Sequence, residues 1–373
     1  MSQQVRRRHQ KNILYEENSK TSELLGRGMV YREIYLKLRG QIDVPNTENL
    51  ITSMTHGNEW GVVKRIELIA NNTDVLRSIS GNSLWWLNYF MYGNIPHITP
   101  TLGDYDATGG DQTPDPAFSS WLILPLWMPR SMRPMDTALD ARELSDLKIE
   151  VTWGDPLDVV DPITAAGWIT EPVLEVHSLE SFNVQGPFSQ WRIYNIQKEI
   201  TANNTQFQMI LPVGPMYRGF IINTTGLYTA GAGVNKQVDD PNILLNLKIK
   251  SGSTIFADVP SSCLRQIDSG VRAVIPQPYA SSAEYKVDAV PTSPIDSFPA
   301  GGQYDYLRRG PIFNNVNAWY FYDHVTDGFL TESIDTLGFS EFELELDVLL
   351  STIATPFTTQ INVMPLQIIP VRG

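Results

Sequence analysis

Glu341-Phe-Glu-Leu-Glu-Leu-Asp-Val348 alternates without a break, with Phe342, Leu344, Leu346 and Val348 on one side and Glu341, Glu343, Glu345 and Asp347 on the other. Successive side chains of an extended chain point to opposite faces, so the segment is a strand with one face on a core and one on water. Leu147-Lys-Ile-Glu-Val-Thr-Trp153 repeats the pattern in the first half of the chain. Working outward from these two, further strands are expected at 34–44, 62–70, 118–127, 173–182, 191–200, 207–211, 220–223, 243–250, 318–322 and 361–366. Between them lie Gly- and Pro-rich connections at 96–116, 156–167, 226–241 and 276–310. Short strands joined by long loops predict an all-β sandwich or barrel.

Similar segments recur in the two halves in the same order. Ile34-Tyr-Leu-Lys-Leu38 pairs with Ile193-Tyr-Asn-Ile-Gln197, Leu68–Thr73 with Phe220–Thr225, and Leu76–Leu84 with Leu247–Ile255. Ser119–Leu124 pairs with Asn317–Tyr322, and the Leu147 strand with the Phe342 strand. Shared order at a long period is the mark of an internal duplication. The expectation is two tandem β-domains with a boundary near Gln185-Gly-Pro187.

Composition agrees with this reading. Of 373 residues 42% are apolar and only 18% charged, with 25 prolines and 26 glycines, which excludes a coiled coil and a disordered acidic chain. The net charge of −13 disfavours a protein that coats nucleic acid over its whole surface. That charge is unevenly spread. Residues 1–39 hold nine basic and four acidic side chains, a net of +5, which leaves −18 on the remainder. No proline interrupts Lys11 to Tyr35, and a helix is expected there, broken at most at Gly26 and Gly28. The resulting division is a basic helical arm over 1–39 and two β-domains over 40–186 and 187–373. Within the arm, Arg6, Arg7, Arg8 and Lys11 suit contact with phosphate groups of nucleic acid or lipid; a solubilising terminus is the alternative. The N-terminus lacks the apolar stretch of a secretory signal, so the sequons at Asn71, Asn203 and Asn223 read as turn chemistry.

No motif for catalysis stands out. The five histidines, His9, His56, His97, His177 and His324, form no local metal-binding pair, and a structural role is expected for each. No Gly-x-Ser-x-Gly elbow is present, and Gly226–Lys236 lacks the Gly-Lys-Ser/Thr ending of a phosphate loop. Asp104–Asp115 has oxygen-bearing residues at calcium-loop spacing, but Asp replaces the bidentate Glu and Pro114 precedes it, so a solvated turn is expected. Glu341, Glu343, Glu345 and Asp347 share one strand, whereas a glycosidase pair faces across a cleft, so a solvated acidic face is expected. Cys263 is the single cysteine and permits no intramolecular disulfide.

A polar N-terminal arm, two successive sandwiches with matched strands (Leu147–Trp153 with Phe342–Val348, Trp121 with Trp319), long insertions and no catalytic motif together resemble a double jelly-roll major capsid protein. This family builds tailless icosahedral double-stranded DNA viruses, including membrane-containing phages and the adenovirus hexon lineage. The resemblance implies two tandem jelly rolls and a homotrimer tiling a virion shell as a pseudo-hexamer. It implies contacts with neighbouring capsomers and minor capsid or penton proteins, and neither cofactor, metal nor small-molecule substrate. It would place Arg6, Arg7, Arg8 and Lys11 at the inner face, against lipid, genome or a neighbouring capsomer. The 38 aromatic residues exceed what two modest cores need, so some, such as those of Leu84–Tyr92, are expected to be shared between subunits, the alternative being that all of them are core. Two rivals differ in class: a tandem cupin-like metal enzyme, which would need clustered histidines, and a carbohydrate-binding spike or adhesive β-protein, which has no use for an arginine-rich arm.

Overall fold

The computed structural model describes residues 4–43, 53–54, 58–92, 117–161, 167–229, 235–240, 242–264, 318–351 and 357–370. In chain order the strands are β1 (Gln4–Leu14), β2 (Lys20–Leu24), β3 (Val30–Asp43), β4 (Ser53–Met54), β5 (Val63–Ala70), β6 (Asp74–Ile79), β7 (Ala117–Pro125), β8 (Leu139–Asp140), β9 (Leu147–Trp153), β10 (Val160–Asp161) and β11 (Gly167–Phe182). The second half adds β12 (Gln190–Tyr194), β13 (Ile196–Ile200), β14 (Asn204–Ile210), β15 (Met216–Thr229), β16 (Asn235–Asp239), β17 (Leu244–Ser251), β18 (Thr254–Pro260), β19 (Trp319–Asp323), β20 (Ile334–Asp335), β21 (Glu343–Val348) and β22 (Phe357–Ile369). The helix α1 (Gly81–Tyr92) follows β6, and the short α2 (Ser261–Cys263) follows β18.

Setting aside the two-residue strands and β16, each half contributes eight strand positions. In the first half they are β1, β2, β3, β5, β6, β7, β9 and β11. They form a sheet of order β1-β11-β3-β7, and a second run of order β2-β9-β5-β6. In positions along the chain these are 1-8-3-6 and 2-7-4-5, the two sheets of a jelly roll. The second half repeats the scheme, with β12 and β13 together as first strand. Its sheets run β12/β13-β22-β15-β19 and β14-β21-β17-β18.

The expected helix over 11–35 is absent, and those residues form the first three strands. Asn18 and Gly28 adopt left-handed backbone conformations (φ 51° and 92°), which cut the segment into short extended pieces. Each piece then finds a sheet partner: β1 pairs antiparallel with β11, β2 with β9, and β3 with both β11 and β7. Lys/Arg/Gln-rich β1 lacks the apolar alternation that identifies a strand. Its partner supplies the order instead.

Correct placement of β1 shows which repeats are equivalent. Ser119–Leu124 and, of its counterpart, Ala318–Tyr322 lie on or beside sixth strands (β7, β19), and Leu147–Trp153 and Phe342–Val348 on or beside seventh strands (β9, β21). The other three pairings are offset along the topology; Ile34–Leu38 in β3, for instance, corresponds to β15, and β12 to β1. The tightest repeat is Gly28-Met-Val-Tyr-Arg32 with Gly214-Pro-Met-Tyr-Arg218. Both glycines have positive φ (92° and 107°), and Arg32 and Arg218 each sit at a register shift in the third strand. The Tyr31 hydroxyl donates to the Gly26 carbonyl and that of Tyr217 to the Pro212 carbonyl, both five residues back.

One hydrophobic cluster fills each jelly roll, the first built mainly from residues 13–193 and the second from 200–363. The halves are also joined. The β2-β9-β5-β6 sheet continues into β12-β22-β15-β16 through a parallel pairing of β6 with β12, giving one 11-stranded sheet. Ile221, Trp319, Phe321, Met364, Leu366 and Ile368 of the second half belong to the first cluster. The aromatic stretch Leu84–Tyr92 accordingly lies in α1 and packs within the chain: Trp86 stacks on Trp319 and Phe90 on Phe321, with centroids 5.4 and 5.2 Å apart. These rings serve the seam between jelly rolls; Phe90 is fully buried within the chain, so the expectation that it is shared between subunits is corrected, while Trp86 is half-buried.

Candidate functional site

The basic residues singled out from the sequence all lie on β1, an edge strand whose partner in its sheet is β11. They divide by partner. Arg6 reaches the fully buried Glu180, 2.7 Å from Oε2, and its guanidinium lies 4.9 Å from the Phe182 ring centroid. Gln10 and Ser178 each donate to Glu180 Oε1, at 2.6 and 2.7 Å. Desolvation and the Glu180 charge push the buried Tyr31 phenol well above its ordinary range. A carboxylate in this position needs these donors, so Arg6 belongs to the fold. Arg7 lies over the Tyr35 ring, Arg8 donates to Gln10, and Lys11 stands 3.3 Å from Glu23 on the surface. Exposed pairs of this last kind contribute little. Arg7, Arg8 and Lys11 therefore keep their charge available.

The acidic face of β21 is more enclosed than its alternation suggested. Glu343 and Glu345 are only 9% and 8% exposed, because Lys248 and Lys250 of β17 lie across them. Lys250 reaches Glu343 at 2.9 Å and Glu345 at 2.6 Å, and Lys248 reaches Glu345 at 3.0 Å. The first jelly roll has a counterpart: Glu150 of β9 receives Lys20 at 2.8 Å and Lys148 at 3.1 Å. Hydrogen bonds from Lys250 and then Lys248 hold the Glu345 carboxyl below its ordinary 4.5, and Lys20 does the same for Glu150. A depressed folded-state pKa gives stability that is present above the unfolded value and lost as pH falls through the folded one. Chemical denaturation across pH 2–6 is thus expected to show a shallower loss below pH 4.5 in Glu345→Gln than in the parent. Equal slopes would mean that the network contributes nothing.

At the β6–β12 joint, Ile193 lies opposite Arg77 and Tyr194 opposite Ser78. Arg77 is buried, donates to the carbonyls of Leu76 and Trp191, and lies 5.0 Å from the Trp191 ring centroid. Burial and the nearby Arg192 charge pull its guanidinium down to about 9. Arg192 in turn bridges to Asp74 at 2.8 Å. A second tie lies in β15, where Arg218 forms a two-pronged bond to Asp323 of β19 and donates to the Pro129 carbonyl of the first jelly roll.

The remaining sequence candidates are dispersed. His9 and His177 are register partners with ring centroids 4.9 Å apart, a convergence hidden by a sequence separation of 168, while His324 meets the Tyr322 hydroxyl. His56, His97, the Asp104–Asp115 loop and the 276–310 connection lie outside the described residues. Among the described residues no group of three or more His, Cys, Asp or Glu is placed to hold a metal, and no helix is long and apolar enough to cross a membrane. Asn71 lies in the β5–β6 turn at φ 52°, as turn chemistry requires, whereas Asn223 is buried in β15. The Arg218–Asp323 pair and the Arg77 joint went unread in the sequence; the doubled Gly-x-x-Tyr-Arg is the signal that leads to the first of them.

No family model matches the chain, and no curated protein matches its sequence. Solved structures do match along its whole length. The STIV MCP, from Sulfolobus turreted icosahedral virus, superposes with a TM-score of 0.61 at 12% identity, covering 98% of this chain and 97% of that one. The major capsid protein P2 of bacteriophage PM2 gives 0.53 at 11% identity, covering 100% of both chains. The PBCV-1 virus capsid gives 0.55 at 10% identity, with 98% and 94% covered. At such identities the likeness is one of fold, and that fold is the double jelly roll of viral major capsid proteins.

Proposed function

We propose that the chain is a major capsid protein, located in the virion, whose role is structural rather than catalytic. The observation that carries this reading is the joint itself: two complete jelly rolls fused edge to edge through β6 and β12. A unit with two similar lobes can occupy two near-equivalent positions in a ring. Three copies then give six lobes, a pseudo-hexagonal tile for an icosahedral facet, with neighbouring capsomers and minor capsid proteins as partners. The domains proposed are residues 1–186 and 187–373, with the basic strand built into the first. Arg7, Arg8 and Lys11 supply positive charge at an assembly contact, the choices being lipid, genome or a neighbouring subunit.

Light scattering on the purified protein is expected to give a mass three times the 41.9 kDa of the chain. Electron microscopy should show hexagonal outlines or closed shells. A monodisperse monomer at assembly concentrations, with no ordered particles, would overturn the proposal.

A further inference from the structure

We propose that the exposed edge of β18 in one copy pairs with the β1 edge of a second copy, repeating between chains the joint that β6 and β12 make within one. The inference rests on the homotrimer reading above and names the surfaces that would make it.

The within-chain joint unites the fifth strand of the first jelly roll, β6, with the first strand of the second, β12, in parallel. Each chain has one more strand of either kind. The fifth strand of the second jelly roll, β18, ends the sheet β14-β21-β17-β18, and the first strand of the first jelly roll, β1, ends β1-β11-β3-β7. Among the described residues neither has a sheet partner on its outer side. A contact between unlike edges is heterologous, so repetition with rotation closes a ring of copies. An edge left with unpaired backbone groups is also a ready template for another strand.

The internal repeat fixes the register. The β5–β6 ladder pairs Glu67 with Ser78 and Leu68 with Arg77, and shifts before Ile69. The β17–β18 ladder pairs Lys248 with Asp258 and Ile249 with Ala257, and shifts before Lys250. Ala257 and Asp258 therefore occupy the places of Arg77 and Ser78. On the other side, the register shifts at Arg32 and Arg218 make Leu179 equivalent to Leu366, the two residues that face Glu33 and Gly219. Their partners on the first strands are Arg7 and Ile193. Arg7 and Arg8 thus stand where Ile193 and Tyr194 stand in the joint.

Carrying the joint over sets Arg7 beside Ala257 and Arg8 beside Asp258. The chemistry is complementary at both places. Within the chain the crossing holds one arginine, Arg77, against an isoleucine; between chains it would hold Arg7 against an alanine. Asp258 is exposed and is the one charged residue of β18, while the exposed residues of β1 are rich in cations. Opposite charges at a heterologous edge set partner and register, and like charges there disfavour pairing. A second copy would set Arg8 in register with Asp258, whose present partners are Asn246 and Lys248 of its own chain; a lipid surface would need only density of charge, without register.

The test is oxidative crosslinking of full-length protein carrying Arg8→Cys, Asp258→Cys and Cys263→Ser. Paired strands bring Cα atoms to a spacing that a disulfide accepts. Covalent dimer and trimer bands are expected on a non-reducing gel, matched by an intrachain crosslink in a Ser78→Cys, Tyr194→Cys, Cys263→Ser control. In an otherwise unchanged chain, Asp258→Lys is expected to raise the concentration at which the trimer dissociates roughly tenfold, and Arg8→Asp in the same chain to reverse most of that. A trimer by light scattering that shows no β1–β18 crosslink, while the control crosslinks, would overturn this interface and leave the trimer standing. A lasting monomer would overturn both. Vesicles of anionic lipid that bind the parent but not Arg8→Asp, with trimer stability unmoved, would assign the strand to the membrane and overturn the proposal.

Discussion

Asp323→Ala is expected to lower the unfolding free energy by about 3–5 kcal/mol, measured by chemical denaturation at neutral pH. Arg218 and Asp323 are 1% and 3% exposed, and they meet through two parallel bonds of 3.1 and 2.9 Å. Removing the carboxylate leaves a guanidinium with the Pro129 carbonyl but without its counter-charge, in a place from which water is excluded. The loss reaches further than one pair. Asp323 also accepts from the backbone of Val325, and the carbonyl of Arg218 accepts from His324, so the turn after β19 is tied to the same residues. A paired replacement, Arg218→Met with Asp323→Leu, separates desolvation from attraction. Because burying two charges costs nearly what their attraction returns, the double variant is expected to recover most of the loss. If Asp323→Ala cost less than about 1 kcal/mol, the pair would not be the internal tie that its geometry indicates.

Seen from this pair, the limits of the sequence are physical. Strands such as Leu147–Trp153 and Glu343–Val348 were legible because one face meets a core and the other meets charge, which writes a period of two into the residues themselves. Strand β1 wrote no such pattern: the side chains of Arg6 and Gln10 reach Glu180 and that of Arg8 donates to Gln10, so an alternation of position exists without an alternation of hydrophobicity. The helix expected over that segment hides the first strands of the first jelly roll, and three of the five paired segments are offset along the topology. The Gly-x-x-Tyr-Arg repeat was visible throughout and survives because its reasons are local: a left-handed glycine, a tyrosine bonded five residues back, and an arginine at a register shift. The acidic face of β21 failed for the opposite reason. Its alternation was correct, but the lysines that enclose it come from β17, a contact of about 95 residues' separation that no local pattern carries.

Phe90→Ala is expected to cost about 3–5 kcal/mol and to change the form of unfolding as well as its midpoint. Phe90 is fully buried, and its ring stacks on Phe321 of the other jelly roll at 5.2 Å. The adjacent Trp86 stacks on Trp319. Removing the ring opens a cavity at the place where the first cluster takes in residues of the second half, and the close packing of an interior lets little of it refill. The parent chain is expected to unfold in one transition, because a shared cluster and an 11-stranded sheet make either half unstable without the other. With the seam weakened, calorimetry should resolve two transitions or a broadened one. A double-mutant cycle between Phe90→Leu and Phe321→Leu should return about 0.5–1.5 kcal/mol of coupling, the part that belongs to the ring pair rather than to burial. The same variant bears on assembly. A tile of the proposed kind would keep its shape only if its two lobes held a fixed angle, and the stacking of α1 on Trp319 and Phe321 ties the lobes together within the chain. Phe90→Leu, which keeps most of the apolar volume, is therefore expected to leave the chain folded and trimeric while lowering the yield of closed particles; undiminished particle yield would separate the aromatic seam from assembly and leave it a determinant of stability alone.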